Sequence, residues 1–156
     1  MMRVRAIEMI RITCALLLLF GISLPGAVRA SHPNDVTILL SSMNAARRSS
    51  HLRPLRLDRR LCRIAYDHAL DMKRRNYYEH TTPEGLSPFA RMAASNYPFG
   101  YAGENLAVDQ DARVIFRDFW TSREHRSNML GPHYARVGIA SIEAAVGTIV
   151  VEDFSD

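Results

Sequence analysis

Three separate stretches of the sequence carry ionisable side chains that their local structure does not require. His80 lies in NYYEHTTPEG, Glu104 in YAGENLA and His125 in TSREHRSNML. Glu104 is the one charged residue of its stretch, and a carboxylate in such a setting needs a partner if it is buried. A carboxylate that accepts an imidazole N–H fixes the tautomer of the ring and raises the basicity of its other nitrogen. A partner for Glu104 must therefore come from elsewhere in the chain.

Two neutral imidazoles and one carboxylate are also a ligand set for an open Zn²⁺ site, whose bound water can become a nucleophile near neutral pH. The spacing alone does not assemble this set, because His80 and His125 lie 45 positions apart and form no H-E-x-x-H motif. Nor is there a G-x-S-x-G motif, and Ser122 lies one helical turn before His125 without an identified third partner. Taken singly, each residue is equally consistent with a structural role: an exposed turn histidine, a glutamate held by backbone donors, or a histidine on a helix surface.

Apolar residues at helical spacing predict four helices that would position these side chains. The predicted helices cover 34–48, a segment from the capping residue Asp58 to about Arg75, a short segment within 86–95, and about 110–122. His68 lies on the apolar face of the second helix, where we expect a buried, hydrogen-bonded histidine. We expect Tyr77, Tyr78 and Trp120 to be packing groups.

The end of the chain changes from helical spacing to strand-like patterns. The β-branched runs 136–144 and 147–154 predict a hairpin, and its second strand lacks polar alternation, so both of its faces should be covered. The whole pattern predicts an α+β domain, with helices on either side of a small antiparallel sheet.

The N-terminal segment has the features of a secretory signal peptide. Three arginines precede an apolar run of about 13 residues, shorter than the ~20 that span a bilayer, and small residues follow at Val28 and Ala30. We therefore predict an exported protein, secreted or periplasmic, with a signal peptide at 1–30 and a single domain at 31–156. An uncleaved anchor is the alternative, and after residue 31 no stretch is apolar for long enough to cross a membrane.

The charge and the cysteines exclude two further classes of protein. The first 30 residues carry four Arg and one Glu, so the rest has 16 basic and 15 acidic residues, a formal net charge of +1 that gives no reason to expect nucleic acid. Seven arginines within 47–63 predict a solvated face, with anionic lipid or polysaccharide contact as the alternative. Cys14 falls in the predicted signal peptide, so Cys62 is left alone and we expect no intramolecular disulfide.

Several short motifs along the chain follow one another as they do in a known family. They are Asn44-x-x-Arg47, A-x-x-H-A-x-D-M from Ala65 to Met72, Y-x-x-H-T-x-P-x-G from Tyr77 to Gly85, Ser87-Pro88 with Arg91, Gly103 to Ala107, Ser122-x-x-His125-Arg126-x-Asn128-x-Leu130, Val137 to Ile139, and Glu152 to Phe154. In these motifs the chain resembles the CAP superfamily (cysteine-rich secretory, antigen 5 and pathogenesis-related proteins, also called the SCP domain) in its compact bacterial form. Each motif alone is unspecific, and their shared order and spacing carry the match.

The resemblance implies a three-layer α–β–α sandwich with a cleft lined by two histidines and acidic residues, where some members bind a divalent metal. By position it implies His80, Glu104 and His125 as cleft residues and as ligands of a metal such as Zn²⁺, with Glu104 orienting or pairing with the imidazoles. Larger members of the family have four cleft residues, because a second Glu is added to these three. Ser122 stands at the position of that Glu in this chain, so the four-residue site is reduced to three. Ser122 is therefore placed in the cleft, where Glu124 could restore a carboxylate.

Similarity to lipid- and sterol-binding members implies a non-catalytic module that binds a small apolar ligand or lipid, or a metal. The alternative is a metal-assisted hydrolase that acts on envelope or extracellular polymers. A third possibility is an interaction protein in which the three residues only stabilise the fold. We expect no nucleic-acid partner, and contact with a membrane only through the signal peptide.

Overall fold

The computed structural model describes residues 33–156, so the predicted signal peptide and Cys14 lie outside the described residues. In chain order the elements are α1 (Pro33–Ser49), β1 (Arg56–Leu57), α2 (Arg59–Arg75), α3 (Pro88–Ala94), β2 (Ala102–Asp109), α4 (Ala112–Thr121), α5 (Arg123–Met129), β3 (Arg136–Ala144) and β4 (Gly147–Ser155). The predicted α+β class is confirmed.

Local sequence explains where the long helix α2 begins and ends. The side chain of Asp58 accepts hydrogen bonds from the backbone N–H groups of Arg60 and Leu61, which have no partner within the helix. At the other end Asn76 adopts the left-handed conformation (φ 54°) that commonly terminates helices. Both boundaries are those expected from the sequence.

A fifth helix, which the sequence pattern did not predict, follows α4 almost directly. Ser122 lies between the two helices with extended backbone (φ −72°, ψ 126°), and this breaks the helical path. Its hydroxyl then accepts a hydrogen bond from the backbone N–H of His125 at 3.4 Å and caps α5. The described part of the chain therefore has five helices instead of about four, and the additional one carries His125.

The four strands form one small sheet in the order β1-β3-β4-β2. The predicted hairpin is present, with β3 and β4 antiparallel, and β2 pairs antiparallel with the outer side of β4. The two-residue strand β1 pairs parallel with β3, so the sheet is mixed where the sequence predicted a purely antiparallel one. Because β2 lies at the end of this order, one of its edges is free of strand partners within the described sheet.

Helices cover both faces of the sheet and give the predicted three-layer arrangement. On one face, Ala69 of α2 belongs to a buried cluster with Val151 of β4. On the other, Ile115 of α4 belongs to a second cluster with Val150 of β4 and Leu39 of α1. Alternate residues of β4 thus enter different cores, which confirms that this strand is covered on both faces.

Arg47 departs from the solvated face predicted for the arginines of 47–63. Its side chain is 1% exposed, and its guanidinium donates to the backbone carbonyl oxygens of Arg53, Met129, Gly131 and Tyr134 at 2.8–3.2 Å. The other six arginines of the run are exposed, as predicted. Arg47 therefore joins α1 to the segment that connects α5 with β3.

Two further features of residues 33–156 concern the predicted compartment. No helix in this part of the chain combines the length and the apolar character needed to cross a membrane. Cys62 is a free, half-buried thiol whose Sγ accepts a hydrogen bond from the backbone N–H of Ile139 at 3.4 Å. Burial raises the pKa of this thiol, so it packs as a small neutral side chain.

Candidate functional site

Glu104 and Asn105 are consecutive residues of β2, at the free edge of the sheet, and their side chains point in opposite directions. Because successive side chains of a strand point to opposite faces of the sheet, Glu104 turns towards the α2 side and Asn105 towards the α5 side. Both are buried, Glu104 with 8% exposure and Asn105 with none. One strand therefore supplies a polar group to each side of the same sheet edge.

Glu104 is held by two donors, one on each carboxylate oxygen. His80, in the loop between α2 and α3, donates from Nδ1 to Oε1 at 2.6 Å. Arg91 of α3 donates from Nη2 to Oε2. The same guanidinium donates from Nη1 to the backbone carbonyls of His80 at 2.7 Å and Leu86 at 3.1 Å. Arg91 thus fixes both the carboxylate and the loop that carries the histidine.

The hydrogen bond to Glu104 defines the chemistry of the His80 ring. In the neutral ring Nδ1 carries the proton, and Nε2 is left as an acceptor on a side chain that is 51% exposed. The hydrogen bond raises the pKa of His80 above 6.5. Protonation of His80 therefore stabilises the fold below its ordinary pKa, and this contribution is lost as pH rises through the raised pKa.

His125 approaches the same edge from the opposite side of β2. Its backbone carbonyl accepts a hydrogen bond from Asn105 Nδ2 at 3.2 Å, and its ring lies against the buried ring of Phe119, with centroids 4.9 Å apart. Burial, and then the charge of His80, lower the pKa of His125 below 6.5. The fold thus favours a neutral His125, and the stability that this contributes is lost as pH falls below its ordinary pKa.

A buried polar network joins the β2 edge to α5. Asn105 Nδ2 also donates to Glu152 Oε2 at 3.1 Å, and Asn128 of α5 donates to the Asn105 side-chain oxygen at 2.9 Å and to the Glu104 backbone oxygen at 3.1 Å. Burial raises the pKa of Glu152 to about 8, so this acid is neutral at pH 7. A Cβ on Gly103 would lie 2.6 Å from the hydroxyl of Tyr134 and 2.9 Å from the side-chain oxygen of Asn128, so a larger residue there would have to displace both side chains.

Behind Glu104 lies a second acid that the sequence did not single out. Asp153 of β4 is the antiparallel partner of Glu104 and is fully buried. Burial, followed by the negative charge of Glu104, raises the pKa of Asp153 well above its ordinary value. A neutral Asp153 leaves Glu104 as the carboxylate that pairs with Arg91 and His80.

Nearly all of the described domain matches a known protein family. The model of the cysteine-rich secretory protein family, CAP, matches residues 40–154. The chain belongs to the CAP family. This CAP domain is 32% identical over 133 residues to the uncharacterized protein YkwD of Bacillus subtilis (strain 168), a match that covers 85% of this chain and 49% of YkwD. The chain thus spans about half the length of that relative.

Solved structures confirm the CAP architecture. An outer surface protein from Borrelia burgdorferi superimposes with a TM-score of 0.74 at 21% identity, covering 81% of this chain and 98% of that one. An extracellular protein containing a SCP domain from Bacillus anthracis str. Ames gives a TM-score of 0.70 at 24% identity, covering 78% and 40%. At these identities the likeness establishes the fold.

The CAP fold brings the predicted site residues together unequally. His80 and Glu104 are in direct contact, whereas His125 is linked to His80 only through charge, which contributes to its lowered pKa. His125 has no hydrogen bond to Glu104 in the described structure. The hydroxyl of Ser122 is used in capping α5, and Glu124 is exposed, where its charge acts on His125.

Glu104 is not arranged to act as a ligand in the predicted Zn²⁺ site. Both of its oxygens already accept hydrogen bonds, and a cation there would be repelled by the guanidinium of Arg91. Among residues 33–156 no group of three or more His, Cys, Asp or Glu side chains is placed to hold a metal ion. The nitrogen atoms of the described site that remain available as metal ligands are Nε2 of His80 and those of the His125 ring. Metal binding by these two imidazoles stays a prediction.

An apolar groove begins at Tyr78, two residues before His80 in the same loop. It has a volume of about 340 Å³ and lies between the end of α2 and the β3–β4 turn; we call it the Tyr78 groove, and it is lined by Met72, Tyr78, Val108, Val146 and Ile149 among others. Tyr78 is 44% exposed, so neighbouring residues cover only part of its side chain. Burial, and then the negative charge of Glu104, raise the pKa of the Tyr78 hydroxyl.

The residues that sequence reasoning missed are those that support His80 and Glu104. Arg91 and Asp153 were noted only as parts of family motifs. Arg91 carries the one charge between Leu86 and Ser95, which is the same signal that drew attention to Glu104. Two lone opposite charges in apolar stretches are candidates for one buried pair.

Proposed function

We propose that this chain is an exported, non-catalytic CAP module that binds an amphipathic ligand. The apolar part of the ligand lies in the Tyr78 groove, and its polar end meets His80 and His125. The observation that carries this proposal is the position of Tyr78, which lines the groove and lies two residues before His80 in the same loop.

The polar end of the site suits a ligand head that can both donate and accept hydrogen bonds. Nε2 of a neutral His80 accepts, and the same atom donates once the ring is protonated. Because the pKa of His80 is raised and that of His125 is lowered, the two rings hold their protons differently near neutral pH. A carboxylic acid or hydroxyl head group matches this pair.

The apolar end of the site suits a short hydrocarbon segment. The groove volume of about 340 Å³ lies at the lower end of the range of ligand pockets, ~300–1,000 Å³. Val146, 73% exposed at the tip of the β3–β4 hairpin, offers a large apolar side chain that a bound chain would cover. Burial of such surface contributes roughly 25 cal/mol per Å².

Export is part of the same proposal. It rests on the predicted signal peptide at 1–30 and on likeness to a Borrelia outer surface protein and a Bacillus extracellular protein. A lipid or other amphipathic ligand is accessible to a protein in either a periplasmic or an extracellular location.

Palmitate binding tests the proposal. We expect saturable displacement of a fluorescent fatty acid by palmitate, and a loss of affinity of about tenfold in Tyr78→Ser because ~1.4 kcal/mol of apolar contact is removed. The matched control is Tyr101→Ser, since Tyr101 is also an exposed tyrosine (54%) but does not line the groove. The proposal fails if palmitate does not displace the probe, or if both tyrosine variants weaken binding equally.

A divalent metal at the two imidazoles is a second candidate, favoured by the half-exposed ring of His80, whose Nε2 is not used by Glu104, and by the lowered pKa of His125. Calorimetric titration with Zn²⁺ should show binding at a pH of about 7.5 and a large loss at about 5.5, because protonated imidazole cannot ligate. His80→Ala and His125→Ala should each abolish the heat, whereas His133→Ala, at an exposed histidine, should not. No heat at either pH would remove the metal and leave the palmitate prediction unaffected.

The metal-assisted hydrolase receives less support from the arrangement. Catalytic zinc sites use three protein ligands and an open position for water, whereas Glu104 is engaged by His80 and Arg91.

A further inference from the structure

A cavity lies at the β1 end of the sheet, opposite the end that carries Glu104. Its volume is about 540 Å³, within the usual range of ligand pockets, ~300–1,000 Å³. We call it the arginine cavity, and the described residues that line it are Arg53, Pro54, Leu55, Arg56, Ala135 and Arg136. Half of these lining residues are arginines and none is acidic, so the cavity has a strongly positive lining.

Two of the arginines are neighbours in the sheet. Arg56 of β1 is the register partner of Arg136 of β3, in the parallel pair of strands. Adjacent strands lie ~4.8 Å apart, and the side chains of partner residues point to the same face of the sheet. Like charges placed opposite each other in a sheet are unfavourable, so packing gives no reason for this pair. An anion bound between the two guanidiniums would replace their repulsion by attraction.

The guanidiniums of Arg53 and Arg56 are not used in holding the fold together. Both side chains are exposed, and neither guanidinium makes an ion pair or a hydrogen bond with another group of residues 33–156. Arg60 and Arg63 of the same run differ, because they donate to the backbone carbonyls of residues 95 and 96 and to Asp67. Two guanidiniums of the cavity are therefore available to a ligand.

Two carboxylates that adjoin these strands are engaged by other donors. Asp58, which follows β1, accepts hydrogen bonds from backbone N–H groups at the start of α2 and from the Tyr97 hydroxyl at 3.2 Å. Asp156, which follows β4, accepts from two backbone N–H groups of the loop before β2 at 2.8 and 3.1 Å. Arg136 donates from Nη1 to the backbone oxygen of Asp156, and its Nε and Nη2 donors remain for a ligand.

The loop that carries Arg53 is held in place by the fold itself. Arg47 donates from Nε to the Arg53 backbone carbonyl at 2.8 Å. The Asn44 side chain accepts from the backbone N–H of Leu55 at 2.8 Å and donates to its carbonyl at 3.0 Å. Arg56 is held by the pairing of β1 with β3. A cavity wall that is already ordered avoids part of the entropic cost of binding.

The charge and shape of the lining favour a phosphate group. Each guanidinium presents a planar fork of N–H donors that matches a carboxylate or a phosphate. A phosphate ester carries a charge of about −1.5 to −2 near pH 7 and three acceptor oxygens, so one group can accept from two guanidiniums. A carboxylate carries one charge and two oxygens. The volume of the cavity also leaves room for the organic part of the ester, against the exposed ring of Pro54.

We propose that the arginine cavity binds the phosphate group of a phosphorylated ligand, with the phosphate between Arg56 and Arg136 and the organic part towards Arg53. Soluble phosphate esters and the head groups of anionic lipids both carry such a group. The proposal is independent of the Tyr78 groove, since no residue that lines the groove lines this cavity.

NMR titration of the ¹⁵N-labelled chain with sn-glycerol 3-phosphate, up to about 10 mM, tests the proposal. The titration is run at an ionic strength of about 0.15 M, where the Debye length is ~8 Å and diffuse attraction is largely screened. We expect saturable shifts of the Nε–H signals of Arg56 and Arg136. Glycerol at the same concentration should leave these signals unchanged, and acetate should bind more weakly. Absence of a saturable shift with glycerol 3-phosphate, or equal affinity for acetate, overturns the proposal.

Two arginines of the same run provide a matched pair of variants. Arg56→Gln removes a charge from the cavity, whereas Arg59→Gln removes the same charge from an exposed position that does not line it. Affinity for glycerol 3-phosphate should fall about tenfold in Arg56→Gln, because a charge-assisted contact is lost, and stay within about twofold in Arg59→Gln. Equal losses would show that the phosphate meets only the overall charge of 47–63, and the proposal would fail.

The stability of Arg56→Gln separates a ligand site from a structural role. Without phosphate this variant should unfold at the same or a higher urea concentration than the unmodified chain, because one of two adjacent like charges is removed. A lower midpoint in Arg56→Gln than in Arg59→Gln would assign Arg56 to the fold and contradict the proposal.

A vesicle assay distinguishes the two sources of the phosphate. The chain is sedimented with vesicles of phosphatidylcholine alone and with vesicles of phosphatidylcholine and phosphatidylglycerol in equal amounts. Sedimentation with the second kind alone, reversed by glycerol 3-phosphate, supports the site with a lipid head group as its ligand. Glycerol 3-phosphate binding without sedimentation supports it with a soluble ester.

Discussion

Replacing Arg91 by alanine is expected to lower the free energy of unfolding by about 3–5 kcal/mol, the usual cost of removing one partner of a buried ion pair. The carboxylate of Glu104, whose side chain is 1% exposed, would lose its permanently charged partner. The carbonyls of His80 and Leu86 would also lose their donor. Urea unfolding monitored by circular dichroism measures this change, provided that the denaturant slope is unchanged.

The matched control is Arg63→Ala, which removes an ion pair of the opposite kind. Arg63 and Asp67 are paired at 2.9 Å on the surface of α2, with side chains 74% and 54% exposed. Exposed pairs contribute ~0–1 kcal/mol. If Arg91→Ala destabilises the protein no more than Arg63→Ala, the ion pair between Arg91 and Glu104 does not stabilise the site, which would contradict this description of it.

Replacing Arg47 by methionine should be as damaging, although Arg47 is far from the cleft residues in sequence. Methionine fills a similar volume but leaves four backbone carbonyls without the charged donor that they share. Charge-assisted hydrogen bonds contribute roughly 1.5–3 kcal/mol each, and such losses are not additive, so we expect about 3–5 kcal/mol. This is a large part of the ~5–15 kcal/mol that stabilises a typical domain.

Arg48→Met provides the control for Arg47→Met, because Arg48 is the next residue of α1 and is exposed. Its unfolding free energy should stay within about 0.5 kcal/mol of the unmodified chain. If Arg47→Met fails to fold, Arg47→Lys should fold with an intermediate loss, since an ammonium keeps the charge but lacks the planar fork of donors. Equal stability of the Arg47 and Arg48 variants would contradict the anchoring role.

The sequence was a good guide where a local signal has a local cause. Asp58 marks the start of α2 because a carboxylate before an apolar helical pattern caps free N–H groups, and the structure has this cap. The run at 147–154 lacks polar alternation because both faces of β4 are covered. In each case the deciding interaction lies within a few residues or follows from periodicity.

It was a poorer guide where the deciding interaction joins distant segments. Arg47 reads as one of seven arginines in a charged run, and only the carbonyls of residues 129, 131 and 134 distinguish it from Arg48. Tyr78 reads as a packing residue, yet the groove that exposes it is formed by α2 and the β3–β4 hairpin together. Periodicity cannot report contacts of this kind.

The sequence indicated which residues form the site, but not which of them contact each other. The lone charge of Glu104 indicated a buried carboxylate with a distant partner, and family resemblance supplied His80 and His125. The structure gives Glu104 two partners, His80 and Arg91, while His125 is held through Asn105 and Phe119. This division, in which one ring is tied to a carboxylate and the other is not, explains why their pKa values shift in opposite directions.

A stability curve against pH would show the two contributions only as one combined maximum near pH 6.5, because the contribution of His80 is lost above that pH and the contribution of His125 is lost below it. Residue-specific ¹H–¹⁵N NMR titration of the two imidazole rings separates them and tests the central claim, that Glu104 holds His80 through Nδ1 beside a neutral His125. We predict a pKa above 6.5 for His80 and below 6.5 for His125, with the His80 value falling in Glu104→Gln. A His80 pKa that is below that of His125, or that does not change in Glu104→Gln, would contradict the account.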